Sequence, residues 1–441
     1  MKNIYILLGS LLFITACSTD LDQYPPNIAS SDSLTDFTGV LNAAYFYQID
    51  TSTPMVVMGD FRADNAYMFE SPYSEFDDFD NGLTAMEDQF FGPFYTALYK
   101  SILSSNIVIL NSSNAKQVAE AKFLRALSYF KLVRVFGDVT INLSDSPSLT
   151  DTSILARKPV AQVYDNVIIP DLTDAIAVLG TARTEGRASK YAAQGLLGKV
   201  YVQRGDFTSA LPHLSAVVTG ASAAGINLKN TFASVFGSAN DLNSEILFAT
   251  QITSSINGEY TFASRFATWS SGSDTKSPTP LDASLIAAFN ASPGDTRRAV
   301  TFNAAETASI KWGGAEQDWI ELRFADILLL YAEALNETGA SAAVALAPLN
   351  SLYPTVSIRS RAGLADLNPA TLNTQALVRT AIANERRLEL AFEGQRWFDL
   401  VRTGTAQTAL GKTFDNNYYL FPVPISELSA SFNVITQNPG Y

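Results

Sequence analysis

Two stretches of the chain interleave flat aromatic rings with hydrogen-bonding side chains in polar, loop-like surroundings. Residues 60–69 read DFRADNAYMF and lead on to Tyr73 and Phe76; residues 260–269 read YTFASRFATW, with Trp312 further on. Such rings can bury a flat apolar face while neighbouring Asp, Asn and Arg side chains hydrogen-bond its polar edge. The candidate contacts are Arg62, Asp64, Asn65, Tyr67, Tyr73 and Phe76 in the first stretch, Tyr260 and Trp269 in the second, and Trp312. Trp269 is the foremost single candidate, an unpaired large ring in a polar loop, and Trp312 is the second. For any one loop aromatic, packing beneath the loop is an equal alternative to ligand contact. Trp319 precedes a charged helix motif and Trp397 lies inside another, so both are expected to be structural.

Covalent and metal chemistry is poorly served by the composition. The chain has one cysteine, Cys17, and one histidine, His213, which sits inside a helical pattern where packing or exposure is its expected role. Cys–His and Ser–His–Asp arrangements therefore lack support, and a histidine-rich zinc site is excluded. A pair of carboxylates would suffice for glycoside hydrolysis, but no carboxylate stands out from the rest. In the acidic run 75–82 (EFDDFDNG) the acids and the glycine miss the register of a calcium-binding loop, and a solvated acidic loop is expected. No catalytic residue, metal ligand or cofactor is expected. The charged block 384–402 (NERRLELAFEGQRWFDLVR) places Arg386 and Glu389, Glu393 and Arg396, Arg396 and Asp399, and Asp399 and Arg402 three residues apart. That spacing lets helical neighbours pair, so the block reads as a stabilising ion network around a packed helix.

The elements that must position these residues are mostly helices. Apolar residues recur at three- and four-residue spacing over 33–48, 90–110 and 115–136. Residues 191–218 place Leu197, Gly198, Tyr201, Gly205, Ala210 and Leu214 where a tetratricopeptide repeat puts its packing residues, and a looser copy begins at 326–339. Residues 58–87 read mostly as loop, 247–251 as a short strand, and 254–279 as an irregular, Ser/Thr/Gly-rich but aromatic insertion. Hydrophobic residues at 47% can fill a sizeable core, and a net charge of −13 disfavours nucleic acid and anionic membrane faces.

Residues 1–16 begin with Lys2, continue through an apolar run too short to span a bilayer, and lead to Cys17. Residues 14–17 (ITAC) resemble a bacterial lipoprotein box, which implies a signal peptide over 1–16 and lipid attachment at Cys17. Residues 322–336 (LRFADILLLYAEALN), 359–364 (RSRAGL), 384–402, 421–424 (FPVP) and 437–441 (QNPGY) resemble the motifs of the SusD/RagB family. Upstream, residues 123–130 and 136–139 also fit, while Thr140 stands where the family usually has proline.

The resemblance covers nearly the whole mature chain and implies one SusD-like domain over 17–441, with loop-rich insertions around 56–87 and 227–320. The implied fold is mainly α: a tetratricopeptide-like helical-repeat scaffold, an irregular loop-rich ligand-binding half and a few short strands. The implied function is that of a cell-surface, outer-membrane lipoprotein of Bacteroidetes-type bacteria. It would bind oligosaccharide or polysaccharide and deliver it to a SusC-like TonB-dependent transporter. The alternatives are an oligopeptide-binding member of the same uptake system and a repeat scaffold without a ligand. A pyranose ring, with an apolar C–H face and a hydroxyl rim, suits the aromatic loops above.

Overall fold

In the N-terminal half, helices α1 (Thr38–Phe46), α2 (Gly92–Asn111) and α3 (Ala115–Phe136) are followed by strands β1 (Val139–Thr140) and β2 (Arg157–Lys158). Helices α4 (Ile169–Val178), α5 (Lys190–Gln203) and α6 (Phe207–Gly220) and strand β3 (Ile246–Thr250) come next. The rest comprises α7 (Ala283–Asn290), β4 (Trp319–Arg323), α8 (Phe324–Glu337), α9 (Ala342–Asn350), α10 (Gln375–Leu390) and α11 (Arg396–Arg402). This is a computed structural model, and it describes residues 34–69, 71–148, 151–184, 186–252, 281–312, 316–350 and 356–441. Residues 37–441 form one compact unit. No helix among the described residues is long and apolar enough to cross a membrane.

The helix starts are set locally. The Asn114 side chain accepts from the Lys116 and Gln117 amides at the head of α3, Ser189 from the Ala192 amide at α5, and Asp206 from the Ser209 amide at α6. Helix α3 occupies 115–136 as its periodicity predicts and stops where Gly137 takes φ 72°. Successive helices then stack, α2 on α3, α3 on α4, α4 on α5 and α5 on α6, after which α6 meets α8, and α8 meets α9 and α10. The expected repeat at 191–218 is the α5–α6 pair and the looser copy is α8–α9. A Cβ on Gly198 would lie 2.5 Å from Leu214 Cδ2, which is how close the two helices approach. His213 stacks on Tyr201 with ring centroids 5.8 Å apart.

Strand β3, expected at 247–251, is buried throughout and pairs antiparallel with β4, Ile246 opposite Arg323 and Thr250 opposite Trp319. The 58–87 stretch departs from its expected loop character. It contains a π-type turn at Val57–Phe61, a helical turn at Glu75–Asp78 and a 3-10 turn at Asn81–Met86. These turns close over a cluster of Phe76, Phe90 and Phe91 rings. The charged block 384–402 is not one helix either. Helix α10 ends at Leu390, Phe392 and Gly394 take φ 63° and 69°, and α11 begins at Arg396.

Candidate ligand-binding site

Residues 60–68 run as an anchored strap across the C-terminal part of the fold. At its start, a Cβ on Gly59 would overlap the backbone of Gly394, so only glycine lets the two chains come this close. The fully buried Asp60 carboxylate accepts from the Asn65 side chain (2.7 Å) and from the backbone amides of Phe392 (3.0 Å) and Gly394 (2.6 Å). Burial pushes its pKa up to about 7 despite those donors. The Arg62 guanidinium lies 4.0 Å over the Phe79 ring and donates to the carbonyls of Phe76 (3.0 Å) and Tyr418 (3.1 Å). Burial lowers its pKa to about 10.

Asp64 accepts a two-pronged pair from Arg396, at 2.7 and 2.8 Å, and Arg387 lies 3.1 Å from the same carboxylate. Burial alone would raise Asp64, but the Arg396 hydrogen bonds and the two guanidinium charges hold it below the usual carboxylate range. Arg387 also donates to the Asp64 carbonyl and to Ser284 Oγ at the head of α7. Ala66 bridges antiparallel to Leu281, and the Met68 amide donates to Asp77 Oδ2 at 2.5 Å. From this fixed strap two side chains project outward. Tyr67 and Phe69 are 51% and 53% exposed, with ring centroids 6.4 Å apart and planes 31° apart. Paired exposed rings on a backbone pinned from both sides make a platform that is ordered before a ligand arrives.

The sequence candidates divide accordingly. Tyr67 is a surface ring of the platform, and Phe69, inside the same predicted stretch but not singled out, is its partner. Arg62, Asp64, Asn65 and Phe76 are corrected from contacts to foundation, since all four are buried and the first three bond within the protein through every side-chain polar atom but Arg62 Nε. Tyr73 is also buried, its hydroxyl accepting from Gln89 Nε2 at 2.7 Å. Trp312 is corrected as well. It is fully buried against Trp319 and donates from Nε1 to the Phe392 carbonyl at 2.7 Å. Trp319 and Trp397 are buried, as a structural role requires. Tyr260, Trp269 and Cys17 lie outside the described residues. In the acidic run, Asp77 is buried rather than solvated, and burial pushes its pKa up to about 6.

Beneath the strap lies the ion network that the charged block was expected to build, with different pairings. Glu389 is met by Arg297 (3.0 Å), Arg323 (2.7 Å) and Arg361; Glu393 by Lys311 (2.6 Å) and Arg323 (2.7 Å); Glu245 by Arg323 (2.9 Å) and Arg361 (2.5 Å). Arg386 reaches Asp326 and Asp399, and Arg402 reaches Glu333. Of the four expected three-residue pairs, Asp399–Arg402 is formed, at 2.9 Å. The helix break at 391–395 separates Glu393 from Arg396, while Arg386 and Glu389 within α10, and Arg396 at the head of α11, turn to partners on other segments.

The comparisons agree with this architecture. Residues 296–417 match the sequence profile described as the SusD family, and residues 18–202 match the one described as "Starch-binding associating with outer membrane". The chain is 27% identical to SusD-like protein P2 of Formosa agariphila, covering 98% of each chain. It is 26% identical to a SusD-like protein of Bacteroides ovatus, over 91% of this chain and 82% of that one. Among solved structures it is similar to surface glycan-binding protein A from Bacteroides fluxus (TM-score 0.73, 20% identity, 92% of this chain and 99% of that one). It is also similar to a laminarin-binding SusD-like protein (TM-score 0.64, 25% identity, 92% and 99%). With matching profiles in both halves and relatives aligned end to end on the same helical fold, the chain belongs to the SusD-like family.

Proposed function

We propose that this chain is an outer-membrane, cell-surface glycan-binding lipoprotein that captures oligo- or polysaccharide and passes it to a SusC-like TonB-dependent transporter. The observation that carries the reading is the exposed Tyr67–Phe69 pair on a strap immobilised by Asp60, Arg62 and Asp64. Such rings cover the C–H face of a sugar, and a backbone already fixed avoids the entropic cost of ordering a loop on binding. The carboxylates beneath them are engaged in ion pairs or backbone hydrogen bonds, which suits holding a ligand rather than transferring protons to it. The family's outer-membrane description and the glycan-binding and laminarin-binding neighbours support the same ligand class and location. Lipid attachment at Cys17 supplies the anchor, and Trp269 and Tyr260 supply further ring contacts.

A glycan array tests this. The wild-type chain is expected to retain at least one glycan. Tyr67→Ala and Phe69→Ala should each weaken that binding about tenfold, a loss of ~1.4 kcal/mol. Both should keep the wild-type thermal midpoint, as exposed positions do. Trp269→Ala should weaken binding in the same way. An array on which no glycan is retained, or on which the Tyr67 and Phe69 variants bind as the wild type does, rejects the proposal.

A further inference from the structure

A second cavity, with lining residues distinct from the platform, opens between α1 and the end of β3. It has a volume of about 610 Å³, within the range of small-ligand pockets, roughly 300–1,000 Å³. One wall is α1, with Gly39 and Asn42 on its exposed side and Tyr45 and Phe46 presenting rings; the other is residues 248–251 together with Arg187. Its framework is fixed by hydrogen bonds. Tyr45 donates to Glu120 (2.8 Å) and accepts from the Ala188 amide (3.0 Å), while Arg187 lies 4.6 Å over the Tyr45 ring and donates to Asn42 Oδ1.

The floor is polar and equally fixed. Gln48 donates to Ser101 (2.9 Å) and Ser128 (2.8 Å) and accepts from the buried Lys131 (3.1 Å). Thr250 donates to Glu321 at 3.0 Å, on the carboxylate oxygen that Lys131 also meets. The charges cancel in place, Arg187 against Glu120 at 3.5 Å and Lys131 against Glu321. The Gln48 and Thr250 groups are thus engaged within the protein. The cleft offers a ligand the Tyr45 and Phe46 rings, the Asn42 and Gln251 amides and no uncompensated charge among the described residues, which suits a neutral polyhydroxylated ligand with an apolar face. A charged ligand would have to give up its hydration without gaining a counter-ion.

We propose that this cleft is a second saccharide subsite that takes a neutral oligosaccharide independently of the Tyr67–Phe69 platform; the ligand class rests on the carbohydrate reading above. Gly39 gives a clean way to close it. A Cβ there meets nothing within 4 Å, and the residue lies in a helix, where replacing glycine is favourable. Gly39→Trp therefore fills the cleft without disturbing the core, and Phe46→Ala removes a ring that is 36% exposed.

The test is calorimetric titration of the full folded chain with maltoheptaose and, separately, laminarihexaose. The Tyr67→Ala/Phe69→Ala variant is expected to retain a binding event with at least one glucan. Adding Gly39→Trp should weaken that event at least tenfold, and adding Phe46→Ala about fivefold. Gly39→Trp alone should leave the platform event in place. The cleft proposal is overturned, and the platform reading stands, if the platform double variant loses all binding of a glucan that the wild type holds. It is likewise overturned if Gly39→Trp leaves the residual event unchanged. A wild-type chain that binds neither glucan overturns the cleft proposal for both sugars, while the array result separately decides the platform.

Discussion

Glu389 sits where Arg297, Arg323 and Arg361 converge, with no solvent exposure of its own. Burial favours its protonated form, but the three guanidinium charges and the Arg323 hydrogen bonds prevail and hold it far below the usual carboxylate range. Removing that single negative charge leaves three buried cations short of a partner. Glu389→Gln should cost ~3–5 kcal/mol of folding stability, read as a lower urea midpoint with an unchanged slope. The residues around it also show why local sequence misleads about access. Arg62, Asp64 and Asn65 have loop composition, and composition reports what a residue could bond to. It does not report that Tyr418 and Arg396, more than 300 positions away, supply those bonds and bury the groups. Tyr67 differs from them in that no distant element among the described residues covers it, and nothing in its neighbours' identities encodes that.

At the scale of elements, close approach rather than charge decides what can change. Gly198 on α5 faces the Cδ2 and Cγ atoms of the Leu214 side chain on α6, whereas Gly59 faces the backbone of Gly394, which has less freedom to shift than a side chain. Gly198→Ala should cost ~1–3 kcal/mol. Gly59→Ala should exceed ~3 kcal/mol and weaken glycan retention too, because it displaces the strap. Thermal melts of the two variants, paired with array binding, check the order and the coupling. Helix α3, the α5–α6 pair and the approximate place of β3 are all legible in the sequence, because each is set by short-range periodicity or capping. The pairing of β3 with β4 is not, since about 70 residues separate the strands and strand pattern carries no partner information. The break in the charged block escaped as well. Gly394 hinted at it, but a left-handed turn there also requires Phe392 at positive φ, which its residue type does not suggest.

For the whole molecule, two sets of carboxylates are shifted in opposite directions. Asp64, Asp326 and Glu389 are buried and Asp399 is partly so, which would raise them, but their arginine and lysine partners hold them below ordinary values. Between their folded and unfolded pKa values the folded chain binds fewer protons. Their stabilisation is therefore complete above an unfolded value of ~4 and is lost as pH falls below it. Asp60, Asp77 and Asp318 are pushed up to about 7, 6 and 7, chiefly by burial, and act in the other direction. Their contribution is complete below ~4 and declines as pH rises toward 6–7. Stability should thus pass through a maximum on the acid side of neutrality. Asp326→Asn should flatten the limb below pH 4 while leaving the upper limb unchanged, as urea midpoints measured at intervals from pH 3 to 8 would show.

The strap carries a consequence for the order of events in the life of the chain. Its bonds from Asp60 to the Phe392 and Gly394 amides, from Asp64 to Arg396 and from Arg62 to the Tyr418 carbonyl span 332, 334, 332 and 356 positions. A polypeptide emerging N-terminus first makes residues 60–69 early and their fastenings last, so the Tyr67–Phe69 pair stays unsupported until folding is nearly complete. Chains cut after Leu390 should therefore lose the platform's share of glycan binding, matching the Tyr67→Ala/Phe69→Ala variant on the array, even where α2–α6 still register as helix by circular dichroism. On the proposed function, an unfinished or clipped copy would lack the platform contacts with sugar, so ring contact there would report a completed C-terminal part.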